Sequence, residues 1–350
     1  MASLSGTVTS DFDPQLYLRM HPDVRLAAAD PVQHYLKYGR REGRSIRPTL
    51  RHEKLLSFID YNKLGLEVGP SHSPICPRSR GYKVEILDHL SQPDLKTKYA
   101  QHGVDLNAIE AVDFVWSGQR FKDLTRRNHE YGWVVASHVI EHTPDLISFL
   151  QGCDDILQDD GVLVLAVPDK RFCFDYLRPV TSLAAIVDAY EAKRTVHSAG
   201  TAAEYYLNVC QIPPGKAWTK VTSSDLRIIH SVAEAKSAME AARNSVFIDL
   251  HSWCFTPSSF RLILHDLFTL GFIQSREVGF FDSNGGEFII ALGRKGAGPE
   301  IPRTELALMA GRPFSAARGV GEAGNVVLNI GRRVSRRLRR LIGRLGHAVR

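Results

Sequence analysis

Between Leu64 and Asp88 the chain reads LGLEVGPSHSPICPRSRGYKVEILD. A short apolar run, Leu64 to Val68, stops at a turn built from Gly, Pro and Ser. A second run, Val84 to Leu87, ends on an acid. Strand, tight turn, connecting segment, strand and acid form the outline of a nucleotide-binding crossover unit. The small residues let the backbone approach a ligand, and the acid can accept hydrogen bonds from the two ribose hydroxyls. Asp88 stands 19 positions after Gly69, close to the spacing of about 20 usual for such an acid. Glu85 is the second choice for that role.

The rest of the chain continues this rhythm. Residues 51 to 63 read as a helix leading into the first strand. Helical stretches between Gln92 and Ile109 precede a third strand, VDFVW (Val112 to Trp116), and the polar segment Phe121 to Tyr131 is expected to be helical. WVVAS (Trp133 to Ser137) reads as a buried fourth strand. Apolar residues at helical spacing run from Leu146 to Leu157 and end near Asp159-Asp160-Gly161, before a fifth strand, VLVLAVPD (Val162 to Asp169). Strands alternating with helices in this way imply a parallel sheet with helices on both faces. Residues 170 to 250 break the pattern. Their helical candidates (Ser182 to Thr195, Thr201 to Val209, Ser231 to Arg243) suggest a cap over the C-terminal edge of the sheet, where open α/β sheets bind ligands. A helix from Pro257 to Leu270 follows, then two strands, Ile273 to Phe280 and Glu287 to Leu292, around the turn Asn284-Gly285-Gly286.

Charge and cysteine content narrow the function classes. The net charge is +6, but residues 332 to 350 hold eight Arg and no acid, which leaves +6 − 8 = −2 for the remainder. The basic character is a tail property and gives no general reason to expect nucleic acid. The five cysteines, Cys76, Cys153, Cys173, Cys210 and Cys254, never form a C-x-x-C pair. That argues against a zinc site or a disulfide framework and suits a reducing cytoplasm; no metal site is expected. No signal-peptide pattern and no apolar run near the ~20 residues of a bilayer span occur.

A closing hairpin after five parallel strands resembles the topology of class I S-adenosylmethionine-dependent methyltransferases. Several motifs carry the likeness together. LEVGPSHSPI (Leu66 to Ile75) is similar to that family's first motif, E-x-G-x-G-x-G, with Ser71 and Ser73 where Gly is commoner. ASHVIEHTPD (Ala136 to Asp145) is similar to its fourth-strand signature, and DDGVLVLAVPD (Asp159 to Asp169) to its fifth. With PDKRFCFDYLRP and DLHSWCFTPSSF, the pattern resembles a bacterial subfamily found with polysaccharide genes. The likeness covers about Lys54 to Lys295. It implies a Rossmann-like, seven-stranded, mostly parallel α/β sheet with a C-terminal antiparallel hairpin. It also implies S-adenosylmethionine as cofactor, held by Glu67, Gly69, Pro70, Ser71, Ser73, Asp88, Trp116, Ser137 and His138. One departure is plain: Trp116-Ser117-Gly118-Gln119 stand where many members carry an acid near the adenine.

Methyl transfer from a sulfonium is an in-line displacement, so the protein chiefly positions donor and acceptor. An alcohol acceptor also needs a base, and neutral His is best tuned near pH 7. His138, His142, His197 and His251 lie near the expected strand ends, with His142 and His251 favoured as base. Glu141 and His142 serve equally well as scaffold or as chemistry. Asp169, Lys170, Arg171 and Asp175 follow the fifth strand and are candidates for the acceptor pocket; for Lys170 and Arg171 a solvated loop is the competing reading. A nicotinamide oxidoreductase would require G-x-G-x-x-G, but Gly69 is followed by Pro, Ser and His. A catalytically silent binding module in a polysaccharide assembly complex stays open as the alternative.

Two appendages flank this unit. Residues 11 to 48 resemble a short module, F-D-x-x-x-Y-L-x-x-x-P-D-V followed by P-x-x-H-Y-x-x-x-G-x-x-E-G-R, of bacterial glycosyltransferases and other cell-surface polysaccharide proteins. On its own residues it reads as a small helical docking unit, opened by Asp13-Pro14 and Asp30-Pro31, with His34 and Tyr35 in its core. The resemblances together suggest a glycan or other small-molecule acceptor. At the other end, residues 297 to 325 read as a linker. Residues 326 to 350 read as a basic amphipathic helix, with Val327, Ile330, Val334, Leu338, Leu341 and Leu345 on one stripe, suited to the anionic inner face of a membrane. The expected division is 1–50, 51–296, 297–325 and 326–350, in a cytoplasmic protein.

Overall fold

The computed structural model describes residues 12–21, 24–25, 27–39, 46, 50–213, 216–218, 221–284 and 286–311. Nine strands are found among them: β1 Gly65–Val68, β2 Val84–Asp88, β3 Phe114–Val115, β4 Tyr131–Ser137, β5 Leu157–Pro168, β6 Cys210–Gln211, β7 Arg227–Ile228, β8 Arg276–Asn284 and β9 Glu287–Gly293. Seven of them form one sheet in the order β3-β2-β1-β4-β5-β9-β8. β1 to β5 pair in parallel, and β9 inserts antiparallel between β5 and β8. This is a Rossmann-like sheet with a reversed edge, as the sequence reading expects. The order reverses between β1 and β4, which opens the crevice where sheets of this kind bind ligands.

Both faces of the sheet are covered, which explains the near-continuous apolar runs of β4 and β5. Val134, Ala136, Leu163, Leu165 and Val167 face one layer, with Leu146, Leu150, Phe260 and Leu267 packed over them. Trp133, Val135, Val164 and Ala166 face the other, beneath Leu55 and Ile59. Burying each such side chain contributes about 1.5–3 kcal/mol. Gly65 is required where it stands, because a Cβ would fall 2.0 Å from the Trp133 ring. The helix Leu146–Ile156 starts where Asp145 caps the Ser148 N–H at 3.0 Å, and it turns Leu146, Ile147, Phe149, Leu150, Cys153 and Ile156 inward.

The structure moves several boundaries. The helix at Phe121 stops at Thr125, since Arg126 enters the left-handed region (φ 56°) and Arg127 turns to pair with Glu85. β5 begins at Leu157, so Asp159 to Gly161 belong to the strand; a register irregularity between Tyr131 and Trp133 absorbs them. β8 begins only at Arg276, because Asp154 draws in the Gln274 N–H and the Ser275 hydroxyl. The expected linker contains a helix, Arg303–Ala310: Arg303 makes a two-pronged pair with Asp266 (2.7 and 2.8 Å), and Leu306 is fully buried. Within 170–250 the three expected helices appear as Leu183–Glu191, Ala199–Asn208 and Val232–Arg243, joined by the small β6–β7 ribbon.

Near the start of the chain, Asp13 caps Pro14–Met20 and Asp30 caps Pro31–His34. Tyr17, fully buried, is the centre of this unit, and His34 and Tyr35 lie half-buried against it. The Tyr17 hydroxyl meets His34 Nδ1 at 3.1 Å. Residues 326–350, expected to form the basic amphipathic helix, lie outside the described residues.

Candidate active site

The turn after β1 is held shut from inside. The Glu67 carboxylate accepts the Ile75 N–H at 2.6 Å and the Cys76 N–H at 2.9 Å, so this acid braces the turn. Burial pushes its carboxyl up to about 7, even though both N–H groups favour the charged form. Because the folded value lies above the unfolded one, stability from this group is full below pH 4.5 and is lost as pH rises through 7. Glu67→Gln destabilises the fold at pH 5, since one N–H then faces an amide donor. Between pH 5 and 8 wild type then loses roughly 3 kcal/mol relative to the variant, measured by urea unfolding at each pH. A constant gap between the two proteins would contradict this.

Gly69 turns with φ 64°, and a Cβ there would meet the Val139 side chain at 2.8 Å, so glycine lets the turn sit against the loop after β4. Ser71 takes the left-handed conformation that glycine usually supplies (φ 53°). Its N–H is anchored on Asp88 Oδ2 at 2.9 Å and its hydroxyl on Tyr99 at 2.8 Å, which offsets the strain. Ser73 closes the turn with its N–H on the Pro70 carbonyl (2.9 Å). His72 packs its ring on Tyr99.

Asp88 ends β2 almost fully buried. Its Oδ2 accepts the Ser71 N–H, and its Oδ1 accepts the His89 N–H (2.8 Å) and meets His89 Nδ1 at 2.6 Å. A carboxylate has about four lone-pair sites, and these three contacts occupy most of those on a side chain that is itself fully buried. Glu85 is committed elsewhere, to Arg127 and the Tyr131 hydroxyl. Trp116 Nε1 donates to the Gln119 carbonyl (2.8 Å), closing the turn after β3, and the ring packs on Phe121 and Phe149. The Trp116 N–H donates to the Asp88 carbonyl (2.8 Å), which sets this turn beside the end of β2.

At the end of β4, Ser137 Oγ accepts from Arg51 Nη2 at 2.5 Å. His138 follows in the left-handed region (φ 54°), a conformation that residues at functional sites often hold. Its Nε2 lies 2.7 Å from Glu287 Oε2, and its Nδ1 lies 3.6 Å from Glu141 Oε1. Glu287 also holds Arg51 through two hydrogen bonds, at 2.6 and 3.1 Å. Burial works against its charge, but His138 and Arg51 outweigh it and keep the carboxyl below its usual range.

The next turn, Ile140–His142, meets the segment entering the helix Pro257–Thr269. The Glu141 carbonyl accepts the Ser252 N–H at 2.6 Å, and Asp169 and Phe255 form a parallel bridge, so residues 251–255 run along the end of β5. His142 and His251 therefore stand edge to face with ring centres 4.6 Å apart. His251 Nδ1 meets Asp175 Oδ2 at 2.6 Å, and Asp175 Oδ1 accepts from Arg178 at 2.9 Å. Burial opposes the Asp175 charge, but His251 and Arg178 prevail and lower its pKa. His142 Nδ1 lies 2.9 Å from Asp249 Oδ1, off the hydrogen-bonding direction. Burial disfavours the His142 cation, yet Asp249, Glu141 and Asp175 hold its pKa above the usual value. His197 lies farther back, its Nδ1 on the Ser252 hydroxyl (2.6 Å), and burial drops it to about 4.

The other expected acceptor residues are placed differently. Asp169 is fully buried and engaged by Arg171 and the Ser283 hydroxyl, so these two side chains brace the β8–β9 hairpin. Lys170 Nζ donates to the Tyr176 carbonyl (2.9 Å), and burial lowers its pKa. Of the four, Asp175 alone joins the histidine cluster. Arg51, Arg178, Asp249 and Glu287 were not singled out in the sequence. Arg51 and Glu287 pair across the chain and sit in no recognisable motif. Arg178 and Asp249 sit inside PDKRFCFDYLRP and DLHSWCFTPSSF, but spacing alone does not bring them to Glu204 and His142.

No family model and no curated protein sequence matches the chain. Among solved structures, it resembles the CcbJ methyltransferase of Streptomyces caelestis at 12% identity, covering 71% of this chain and 96% of that one, with a TM-score of 0.35. It also resembles an S-adenosylmethionine-dependent methyltransferase of Mesorhizobium loti (9%, 69% and 97%, 0.36). A protein of Rhodobacter sphaeroides described as a Zn-dependent alcohol dehydrogenase aligns similarly (14%, 71% and 92%, 0.38). Likeness at this level decides nothing about function, and the fold assignment rests on the strand order itself.

Proposed function

We propose that this protein is an S-adenosylmethionine-dependent methyltransferase that O-methylates a sugar hydroxyl of a bacterial surface polysaccharide or its precursor. The observation that carries the reading is a convergence at one sheet edge. The glycine turn after β1, the acid ending β2 and the Glu141–His142–His251 cluster after β4 all open on the crevice side of a sheet ordered β3-β2-β1-β4-β5-β9-β8. Bound there, the cofactor supplies a methyl group on a sulfonium, open to in-line displacement. Gly69 and Ser71 shape the turn, Asp88 receives the ribose, and Trp116 borders the adenine. The Glu141–His142–His251 cluster holds and activates the acceptor hydroxyl, with Asp175 and Asp249 orienting the two imidazoles.

The glycan choice is supported by the resemblance of residues 11–48 to a module of polysaccharide proteins. Its test is transfer of labelled methyl from S-adenosylmethionine to polysaccharide fractions of the source bacterium. Label appearing in glycan as an alkali-stable methyl ether supports the reading. Cofactor binding with no labelled fraction rejects it and favours a silent module in an assembly complex. We also propose that residues 326–350 hold the protein at the anionic inner face of the membrane. Among the described residues no helix is long and apolar enough to cross a membrane. Flotation with phosphatidylglycerol vesicles is expected to fall on deletion of 326–350; equal flotation of both forms would reject the contact.

A further inference from the structure

Glu141 is 1% exposed, yet neither of its carboxylate oxygens has a hydrogen-bond partner among the described residues. An unpaired buried carboxylate is costly, and such groups are retained where something else satisfies them. The nearest candidate, His138 Nδ1, stays 3.6 Å away. Glu141, His142 and His251 each bring one potential ligand atom to the same point, with all three atoms within 4.8 Å of one another.

We propose that Glu141, His142 and His251 bind a divalent first-row transition cation. Four features support it. Two imidazoles and one carboxylate are a ligand set suited to zinc, iron(II) or cobalt(II), and poorly suited to magnesium. His251 has its Nδ1 on Asp175 at 2.6 Å, which leaves its Nε2 for a metal, and the His142 Nδ1 has no hydrogen-bond partner among the described residues, with the Asp249 carboxylate 2.9 Å away. That carboxylate–histidine pairing is how ligating imidazoles are usually oriented. Charge also favours a cation. Around the cluster Glu141, Asp175, Asp249 and Glu204 face the fixed cations Arg178 and Lys98, with Lys98 Nζ 3.7 Å from Asp249. Finally, metal–ligand distances of about 2.0–2.2 Å ask the three atoms to draw together by roughly 1 Å, a small side-chain rotation.

Three protein ligands leave a coordination position open, as in catalytic rather than structural sites. Giving that position to the acceptor hydroxyl rests on the methyltransferase reading; the binding itself does not. No cysteine takes part, so a search for C-x-x-C spacing passes over this site.

The test uses the full chain, stripped with chelator and titrated calorimetrically with Zn²⁺, with Co²⁺ absorption as a second readout. One cation per chain is expected, with cobalt d–d bands in the visible. Glu141→Gln, His142→Ala and His251→Ala should each abolish those bands. Asp249→Asn alters a solvent-facing carboxylate beside His142 and Lys98 and should leave the fold intact while weakening Zn²⁺ by about 10- to 100-fold. Circular dichroism confirms that each variant is folded. No saturable Zn²⁺ binding by wild type, or binding unchanged in folded Glu141→Gln and Asp249→Asn, would overturn the proposal. A parallel titration with S-adenosylmethionine separates the two readings. Zinc bound without the nucleoside keeps the metal site and rejects the methyltransferase, and the reverse result rejects the metal site alone.

Discussion

Replacing His251 with alanine is expected to lower kcat for methyl transfer by roughly 10²- to 10⁴-fold while cofactor affinity stays close to that of wild type. His251 is the point where the acceptor cluster and the cap meet. It faces His142 at 4.6 Å, packs against Phe174 at 4.7 Å and is fixed in orientation by Asp175 at 2.6 Å. None of those groups belongs to the turn after β1 or to Asp88, so the cofactor site keeps its own supports. A fall in kcat with an unchanged dissociation constant places His251 on the acceptor side of the reaction. Added imidazole, small enough to enter the vacated space, should restore part of the rate. Equal losses in kcat and cofactor affinity, with no rescue, would instead make His251 a scaffold residue.

Arg178→Ala is expected to cost about 3–5 kcal/mol of stability, a drop in Tm on the order of 10 °C. Its side chain is 1% exposed, and the guanidinium holds together three separate pieces of chain. It donates to Asp175 at 2.9 Å, to Glu204 on the cap helix at 3.1 Å and to the Ser252 carbonyl at 3.4 Å, and it lies over the Tyr205 ring. Removing it leaves Asp175 buried with His251 as its remaining charge partner. Burial opposes the Arg178 charge, but Cys254, Asp175 and Glu204 outweigh it and raise its pKa. Thermal unfolding of the purified variant checks this. A shift of only a degree or two would mean that the cap is held chiefly by its apolar contacts.

Much of the fold was legible because its signals are local. β1, β2, β4 and the body of β5 are short apolar runs bounded by turn residues. Asp13 and Asp30 stand at the helix starts they announce. The boundaries that moved did so through distant partners. Asp154 captures Gln274 and Ser275, and Glu85 captures Arg127, across separations in sequence that no local pattern reveals. The site divides in the same way. Gly69, Asp88, His142 and His251 could be picked out because each sits in a motif or at a strand end. The role of Glu67 could not, since only the folded turn brings the Ile75 and Cys76 amides onto it. Nor could the convergence of Glu141, His142 and His251 be read as a ligand set, because the third member joins from more than a hundred residues away. Asp169 and Arg171 show the converse: they follow a strand end, as pocket residues often do, but satisfy each other and a hairpin serine.

The central claim is that the crevice between β1, β2 and β4 receives S-adenosylmethionine, and isothermal titration of the full chain with that cofactor tests it most directly. One cofactor per chain with micromolar affinity is predicted, weakened at least about tenfold in Asp88→Ala, where a charged hydrogen-bond acceptor for the ribose is lost. No heat of binding at millimolar cofactor, or equal affinity for wild type and a folded Asp88→Ala, would contradict it.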